Sequence, residues 1–366
     1  MRKSITIFIT SILIQFTCFS QNYIAAVLED EFWGYIDEKG NYIVQPVYNA
    51  AKDFSSGIGL IKNLDEWFYV NKNGNIINTA NDYIANYPFS EGLARAQRHN
   101  IWGYIGAEGD FVIKPQFIDA EDFKDGLAAV KRGSVWGFID KVGDYFVEPQ
   151  FLAVRNFNSD VAMVKTPTGW KYMNKQKEIF PQNNEYEAIK EFSNGMAAVR
   201  QGKFWGYVDP FGTLKIKPQF HDAEIFSNGF AAVKIGNLWG YINTNGEFIA
   251  EPQFEIAKEF SGDMALVRQN GQYFFINSAG EEVGKNSDYI IKYNFSEGLS
   301  KVIYQGKWGF IDKSGKIVIE AVYEKVEDFR NGYAAVLKDG KWGFINKKGE
   351  IVIECKYRKV GEFKKL

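Results

Sequence analysis

Two cysteines and two histidines in 366 residues leave little material for redox, metal or proton-transfer chemistry. Cys18 lies in an apolar leader that reads as removable, so Cys355 stands alone in the mature chain and no intramolecular disulfide is expected. His99 and His221 fall in different parts of the sequence, and no nucleophile marks either one. A Ser-His-Asp or Cys-His arrangement would need such a neighbour, so both read as surface residues. Positive charge is not in excess. The formal charge of −2 becomes −4 once Arg2 and Lys3 leave with the leader, and no basic stripe stands out. Nucleic acid is therefore not an expected partner. No glycine-rich loop introduces a helix, and no convincing long helix is present to host one. Neither a cofactor nor a metal site is expected.

The leader is residues 1–20. Arg2 and Lys3 supply its charge, Ile5 to Phe19 is largely apolar, and Ser20 is a small residue before Gln21. This is the pattern of a secretory signal peptide, and its apolar stretch is short for a spanning helix. The expected location is the periplasm, the outer surface or the medium, with no transmembrane span after cleavage. The alternative is a lipoprotein anchored through Cys18, although Gln15-Phe16-Thr17 is a poor approach to an acylated cysteine.

What the chain has in quantity is aromatic residues, 16% of the total, on a strict lattice. Trp33, Trp67, Trp102, Trp136, Trp170, Trp205, Trp239, Trp308 and Trp342 are spaced by 34 or 35 residues once Tyr273 fills the one gap. Residues 21–366 are thus a tandem array of ten units of roughly 34 residues. Trp136-Gly137-Phe138-Ile139-Asp140, then Gly143, then Tyr145-Phe146-Val147-Glu148-Pro149 shows the grammar, with Gly126-Leu127-Ala128-Ala129-Val130 upstream. These are short β-rich runs separated by turn residues. The Asp-x-x-Gly stretch suits a hairpin ending on a residue with positive φ, and Lys177 at the glycine position predicts a looser turn there. A proline (Pro46, Pro115, Pro149, Pro218, Pro252) is expected to end the third strand or mark an edge. An aromatic then follows, with phenylalanine six residues later, as in Phe117 and Phe123. Each unit therefore holds three strands plus an aromatic connector.

Eight residues before each tryptophan the side chain is always small: Ala25, Gly59, Ala94, Ala128, Ala162, Ala197, Ala231, Ala265, Ser300 and Ala334. Such a run implies close approach by a neighbour, and the adjacent unit's indole is the expected one. The ten lattice aromatics are expected to form the buried structural core of the repeat, with Trp136, Trp205 and Trp239 largely covered. A sugar-stacking surface is the other use of so many rings.

The motif Lys307-Trp308-Gly309-Phe310-Ile311-Asp312 and its copies resemble the WG-repeat family of bacterial proteins, over residues 23 to 366. The resemblance implies interaction or structural modules and carries over no catalytic residues. A second period of 103 residues lies above the first. Units two, five and eight replace the glycine by Phe68, Lys171 and Phe274, and carry Asp82-Tyr83, Glu185-Tyr186 and Asp288-Tyr289 in place of the proline. Either a three-unit block was duplicated or every third unit faces a distinct environment.

Two all-β architectures suit such units. An open solenoid or superhelix stacks them end to end and is the favoured reading, because a propeller of four-stranded blades usually has four to eight of them. The alternative is a closed β-propeller. An open array needs polar caps, and none is visible before Tyr23 or after Phe363.

The functional expectation is an exported scaffold that binds an unidentified protein or envelope glycan without catalysis. Specificity should lie where units differ, at the hairpin before the tryptophan. Arg98, His99, Lys131, Arg132 and Lys338 on those tips are the candidate binding edge, against a reading as unconstrained turn residues. Asp37, Asp140, Asp209 and Asp312 read as turn residues bonding their own backbone rather than as calcium ligands. The alternative function is a carbohydrate-active or other envelope enzyme built on the irregular places Pro167-Thr168-Gly169, Pro181-Gln182-Asn183-Asn184 and around Asp263, none of which offers a carboxylate pair.

Overall fold

The computed structural model describes residues 23–77, 87–158, 160–180, 186–285 and 288–366. The segment expected to be a signal peptide (with Cys18), the Asp82-Tyr83 pair, Glu185 and the Pro181–Asn184 stretch lie outside them. Every regular element among the described residues is a strand.

One sheet recurs in all units. In the fourth, the short strand Asp119–Ala120 pairs with Ala128–Arg132, that strand with Val135–Ile139, and that one with Tyr145–Phe151, all antiparallel. The connector therefore contributes a fourth strand, which removes the objection that three-stranded units fit a propeller poorly. Eight sheets have four strands; that of Ala94–Phe117 shows three among the described residues, and the first has five.

That first sheet closes the molecule. Tyr23–Glu29 pairs with Lys359–Val360 and with Lys364–Lys365. The Arg358 and Gly361 N–H groups donate to the Leu28 and Ala26 carbonyls at 2.9 and 2.8 Å. A shared cluster then joins Ala25, Val27 and Ile36 to Phe344, Ile353, Tyr357 and Phe363. Ten such clusters lie between neighbouring sheets, one at each junction round to the first. The fold is a closed ten-bladed β-propeller, and the open solenoid is wrong. Each terminal unit caps the other, so no polar caps are needed.

Each blade is covered on both faces by its neighbours, which explains the middle strands. Ala128, Ala129 and Val130 are all fully buried, a continuous apolar run instead of an alternating one. The small position meets the connector phenylalanine. A Cβ built on Gly59 would lie 2.4 Å from the Phe54 ring, and Ala128 and Ala231 share clusters with Phe123 and Phe226. The adjacent indole is therefore not its closest partner. Each connector phenylalanine instead meets the aromatic two residues past the preceding tryptophan, with centroids 4.8 Å apart in Tyr35–Phe54, Tyr104–Phe123, Tyr207–Phe226 and Phe310–Phe329. Where that ring is tyrosine its hydroxyl donates to a connector carbonyl, as Tyr104 does to Glu121 and Tyr207 to Glu224, both at 2.7 Å. Fully burying one such ring contributes about 1.5–3 kcal/mol, before the edge-to-face contact.

The glycine after the tryptophan has a steric cause. Trp136 lies opposite Phe151 but Phe138 lies opposite Val147, so the third strand bulges over Gly137. A Cβ on Gly137 would stand 2.4 Å from the Val147 carbonyl oxygen and 2.7 Å from the Pro149 nitrogen. Proline suits the bulge because it has no N–H to satisfy, and the edge strand runs on through it rather than ending there. Units two, five and eight lack the glycine, and among the described residues their third strands are Ile76–Ile77, Ile179–Phe180 and Glu282–Val283. In unit eight the strand ends before Gly284 and Lys285, so that blade is structurally distinct, whatever its history.

At the Asp-x-x-Gly hairpin, Asp140 Oδ1 accepts from the N–H groups of Val142, Gly143 and Asp144. Lys177 does not loosen its turn. It takes φ 65° and donates to the Asn174 carbonyl at 2.9 Å, as Gly143 does to Asp140 at 3.1 Å.

Candidate functional site

The two ends of the ring differ. One end carries the Phe-Ser-x-Gly turns and the Asp-x-x-Gly hairpins, since Ala128 pairs with Ile139 beside both. There each turn is tied to the next blade: Ser90 Oγ donates to the Phe123 carbonyl at 2.7 Å and Ser227 Oγ to that of Phe260 at 2.7 Å. Asn331 Nδ2 donates to the Phe363 carbonyl at 2.8 Å, next to the seam. Glu91 accepts from Gly126 N–H and pairs with Lys141 at 3.1 Å, while Glu297 accepts from Asn331 and Gly332 N–H and pairs with Lys347 at 3.0 Å. Burial pushes both carboxyls up, but the lysine and the N–H groups together hold them below the ordinary range.

The variable tips all emerge at the other end, where Arg132 pairs with Val135 and where the chain also crosses from one blade to the next through Ile118 and Leu152. Many tips are two-residue turns in the left-handed region, with φ 50° and 64° at His99 and Asn100 and φ 52° and 70° at Asp339 and Gly340. Part of their composition is thus set by backbone geometry.

The candidate residues are not all together. Arg98 and His99 are on blade three and Lys131 and Arg132 on blade four, so these four are neighbours. Lys338 is on blade ten, separated from them by the acidic tips Glu29-Asp30-Glu31 and Asp65-Glu66 of blades one and two. Arg132, His99 and Lys338 are exposed. Lys131 and Arg98 are partly engaged, at 5.7 Å over Trp136 and 5.1 Å over Phe111. Ile118 and Leu152, each just over half exposed, adjoin the basic tips. The backbone places them there, since Ile118 N–H donates to the Lys131 carbonyl and Leu152 N–H to that of Lys165. Sequence reasoning missed both. The available signal was an apolar residue directly after the last aromatic of the third strand, where a solvated connector would be polar. Ile101 completes the patch, and exposed Phe32, Leu64, Phe204 and Leu238 mark other tips.

The lattice aromatics sit nearer this end than the core pairs do, and none is fully buried. Trp33, Trp67, Trp102, Trp136, Trp205, Trp239, Tyr273, Trp308 and Trp342 are half-buried, packed against the clusters on one side. The indoles expected to be largely covered keep part of their surface in solvent, because each ring lies on the second rung from the hairpin tip, as Lys131–Trp136 does before Arg132–Val135. Cations often take the free face, Lys190 and Arg200 at 5.4 and 5.9 Å over Trp205 and Lys234 at 5.5 Å over Trp239. Trp170 is exposed.

His221 is exposed, and its Nδ1 accepts from Gly236 N–H at 3.1 Å, which steadies a tip turn. Its ring also meets Phe204 at 5.4 Å. Among the described residues, no three of His, Cys, Asp and Glu come together as a metal site.

The family model described as "WG containing repeat" matches residues 33–67, 102–135, 136–166, 185–203, 205–239, 239–273, 308–342 and 342–365. The chain belongs to the WG-repeat family. The larger gaps in the match begin at or near Trp67, Trp170 and Tyr273, the units of this WG-repeat protein that lack the glycine. No curated protein matches the chain. Among solved structures it is similar to a eukaryotic initiation factor, at 10% identity and TM-score 0.48 over 93% of this chain and 98% of that one. Hsv2 of Kluyveromyces lactis aligns at 11% identity and TM-score 0.34, over 67% of this chain and 98% of its own. The dihydro-heme d1 dehydrogenase NirN aligns at 12% identity and TM-score 0.30, over 72% of each chain. At these scores none carries an argument about what the WG-repeat ring does.

Proposed function

We propose that this WG-repeat propeller is an exported, non-catalytic scaffold that binds a protein or envelope glycan through the tip end of its ring. The observation behind this reading is the patch on blades three and four, where the basic tips Arg98, His99 and Arg132 surround exposed Ile101, Ile118 and Leu152. A mixed apolar and cationic patch suits an interface whose centre is desolvated and whose rim steers an acidic partner. The opposite end is occupied by its own blade-to-blade bonds.

A pull-down from envelope extract tests the proposal, using the mature chain with His99→Asp and Arg132→Glu as comparison. Arg98 and Lys131 are left unchanged because they cover Phe111 and Trp136. The double variant should lose the captured partner while melting at the same temperature. Equal capture by both proteins would move the binding surface away from blades three and four.

A further inference from the structure

Blade five departs from the ring at one place. Among the described residues its third strand is Ile179–Phe180, and none of them pairs with Trp170 as Phe151 pairs with Trp136 and Phe220 with Trp205. Lys171 stands where glycine would let that strand bulge across. The indole is left 42% exposed, beside a trough of about 410 Å³ lined by Arg155, Met163, Trp170, Tyr186, Glu187 and Ile189. A second cavity of about 230 Å³ shares Arg155 and Met163 and reaches Glu191.

We infer that this trough is a carbohydrate-binding site that seats a pyranose ring on the Trp170 indole. The face of an indole is electron-rich, and the axial C–H groups of a pyranose present the complementary positive surface. Planar charged groups surround that face. The Arg155 guanidinium lies 5.9 Å from the ring centroid and pairs with Glu191 at 3.2 Å, and Glu187 pairs with Arg200 at 3.6 Å. Guanidinium and carboxylate together offer donors and acceptors to vicinal hydroxyls, while Met163 and Ile189 supply an apolar wall. The volume lies within the range of small-ligand clefts.

The rival occupant is an extended peptide adding to the sheet edge along Gly169–Asn174. The polar side chains gathered round the indole favour the sugar, since strand addition needs only backbone groups. The site is separate from the patch on blades three and four, so its failure leaves the proposed binding edge standing.

Calorimetric titration of the mature chain with cellohexaose, chitohexaose and a galacturonate hexamer tests the inference, with a threonine-rich decapeptide as the rival probe. At least one saccharide should bind. Trp170→Ala should weaken it tenfold or more and Trp170→Phe less, while Arg155→Ala or Glu187→Gln should weaken it severalfold. The melting temperature should hold in Trp170→Phe, Arg155→Ala and Glu187→Gln and fall by no more than a few degrees in Trp170→Ala, whose ring is 42% exposed. Three outcomes would overturn the inference: no heat from any saccharide, unchanged titration in Trp170→Ala, or binding of the decapeptide alone.

Discussion

Replacing Phe226 with alanine measures where the weight of each blade junction lies. Phe226 has no exposed surface, and its ring meets Tyr207 at 4.8 Å and 66°. Its removal opens a cavity lined by Ala198, Ala223, Ala231, Val233 and Ile242, short side chains on two blades that cannot close it. Phenylalanine-to-alanine changes at such sites cost about 3–5 kcal/mol. Trp205 packs against the same cluster but is only half-buried, with Lys190 and Arg200 on its ring. Losing a partly exposed ring, whose site solvent can enter, plus a weak cation contact costs less, about 2–3 kcal/mol. At about 2 cal/mol/K of unfolding entropy per residue, a ring of this size loses roughly one degree for each 0.7 kcal/mol. Phe226→Ala should therefore lower Tm by about 4–7 °C and Trp205→Ala by about 3–4 °C. Circular-dichroism melts of the two variants decide the matter. A lower Tm for Trp205→Ala than for Phe226→Ala would refute the reasoning and restore the indole as the core.

Phe363→Ala should cost as much as Phe226→Ala, because Phe363 fills the seam between the last blade and the first. A melt near wild type, as for a fraying end, would contradict closure. Gly137→Ala forces a methyl against the Val147 carbonyl, so the variant should melt several degrees lower, with hydrogen exchange accelerating first in Tyr145–Phe151. Unchanged exchange in that strand would show that the bulge does not need glycine. Among the described residues five carboxyls sit below their ordinary values, Asp263 through its hydrogen bond from Lys313. Ser314 and backbone N–H groups lower Asp312, and at Asp209 the Thr213 and Phe211 N–H groups with Lys215 outweigh a burial effect that raises it. Glu91 and Glu297 are lowered likewise. A carboxyl depressed by folding stabilises above its unfolded pKa and loses that contribution as pH falls through its folded one. Burial raises Asp53 and Glu121 and opposes this in part, but the more numerous lowered groups set the sign. Tm should thus be level near neutrality and fall below about pH 4.5, where the unfolded chain's glutamates take up protons that folded Glu91 and Glu297 still exclude. A Tm that rises on acidification over that range would refute this assignment.

The repeat's number, phase and turns were legible in the sequence alone. Trp136-Gly137 and Asp140-x-x-Gly143 each specify local geometry within a few residues, and local geometry repeats wherever its residues do. Phe68, Lys171 and Phe274 marked blades two, five and eight as variant units, although the exposure of Trp170 did not follow from them. Three things required the tertiary structure. The rotation from one blade to the next accumulates over ten units, and no single unit encodes whether it closes; that was decided where Tyr23–Glu29 met Lys359–Val360. Burial was decided by the neighbouring blade, which covers Phe226 and Tyr207 but reaches only one side of Trp205. Closure sets Lys338 beside acidic tips, whereas the packing of consecutive blades three and four brings Arg98, Arg132, Ile118 and Leu152 to one end. Local turn and strand preferences act over a few residues, whereas contacts between units depend on orientation, which the chain acquires only when the ring has formed.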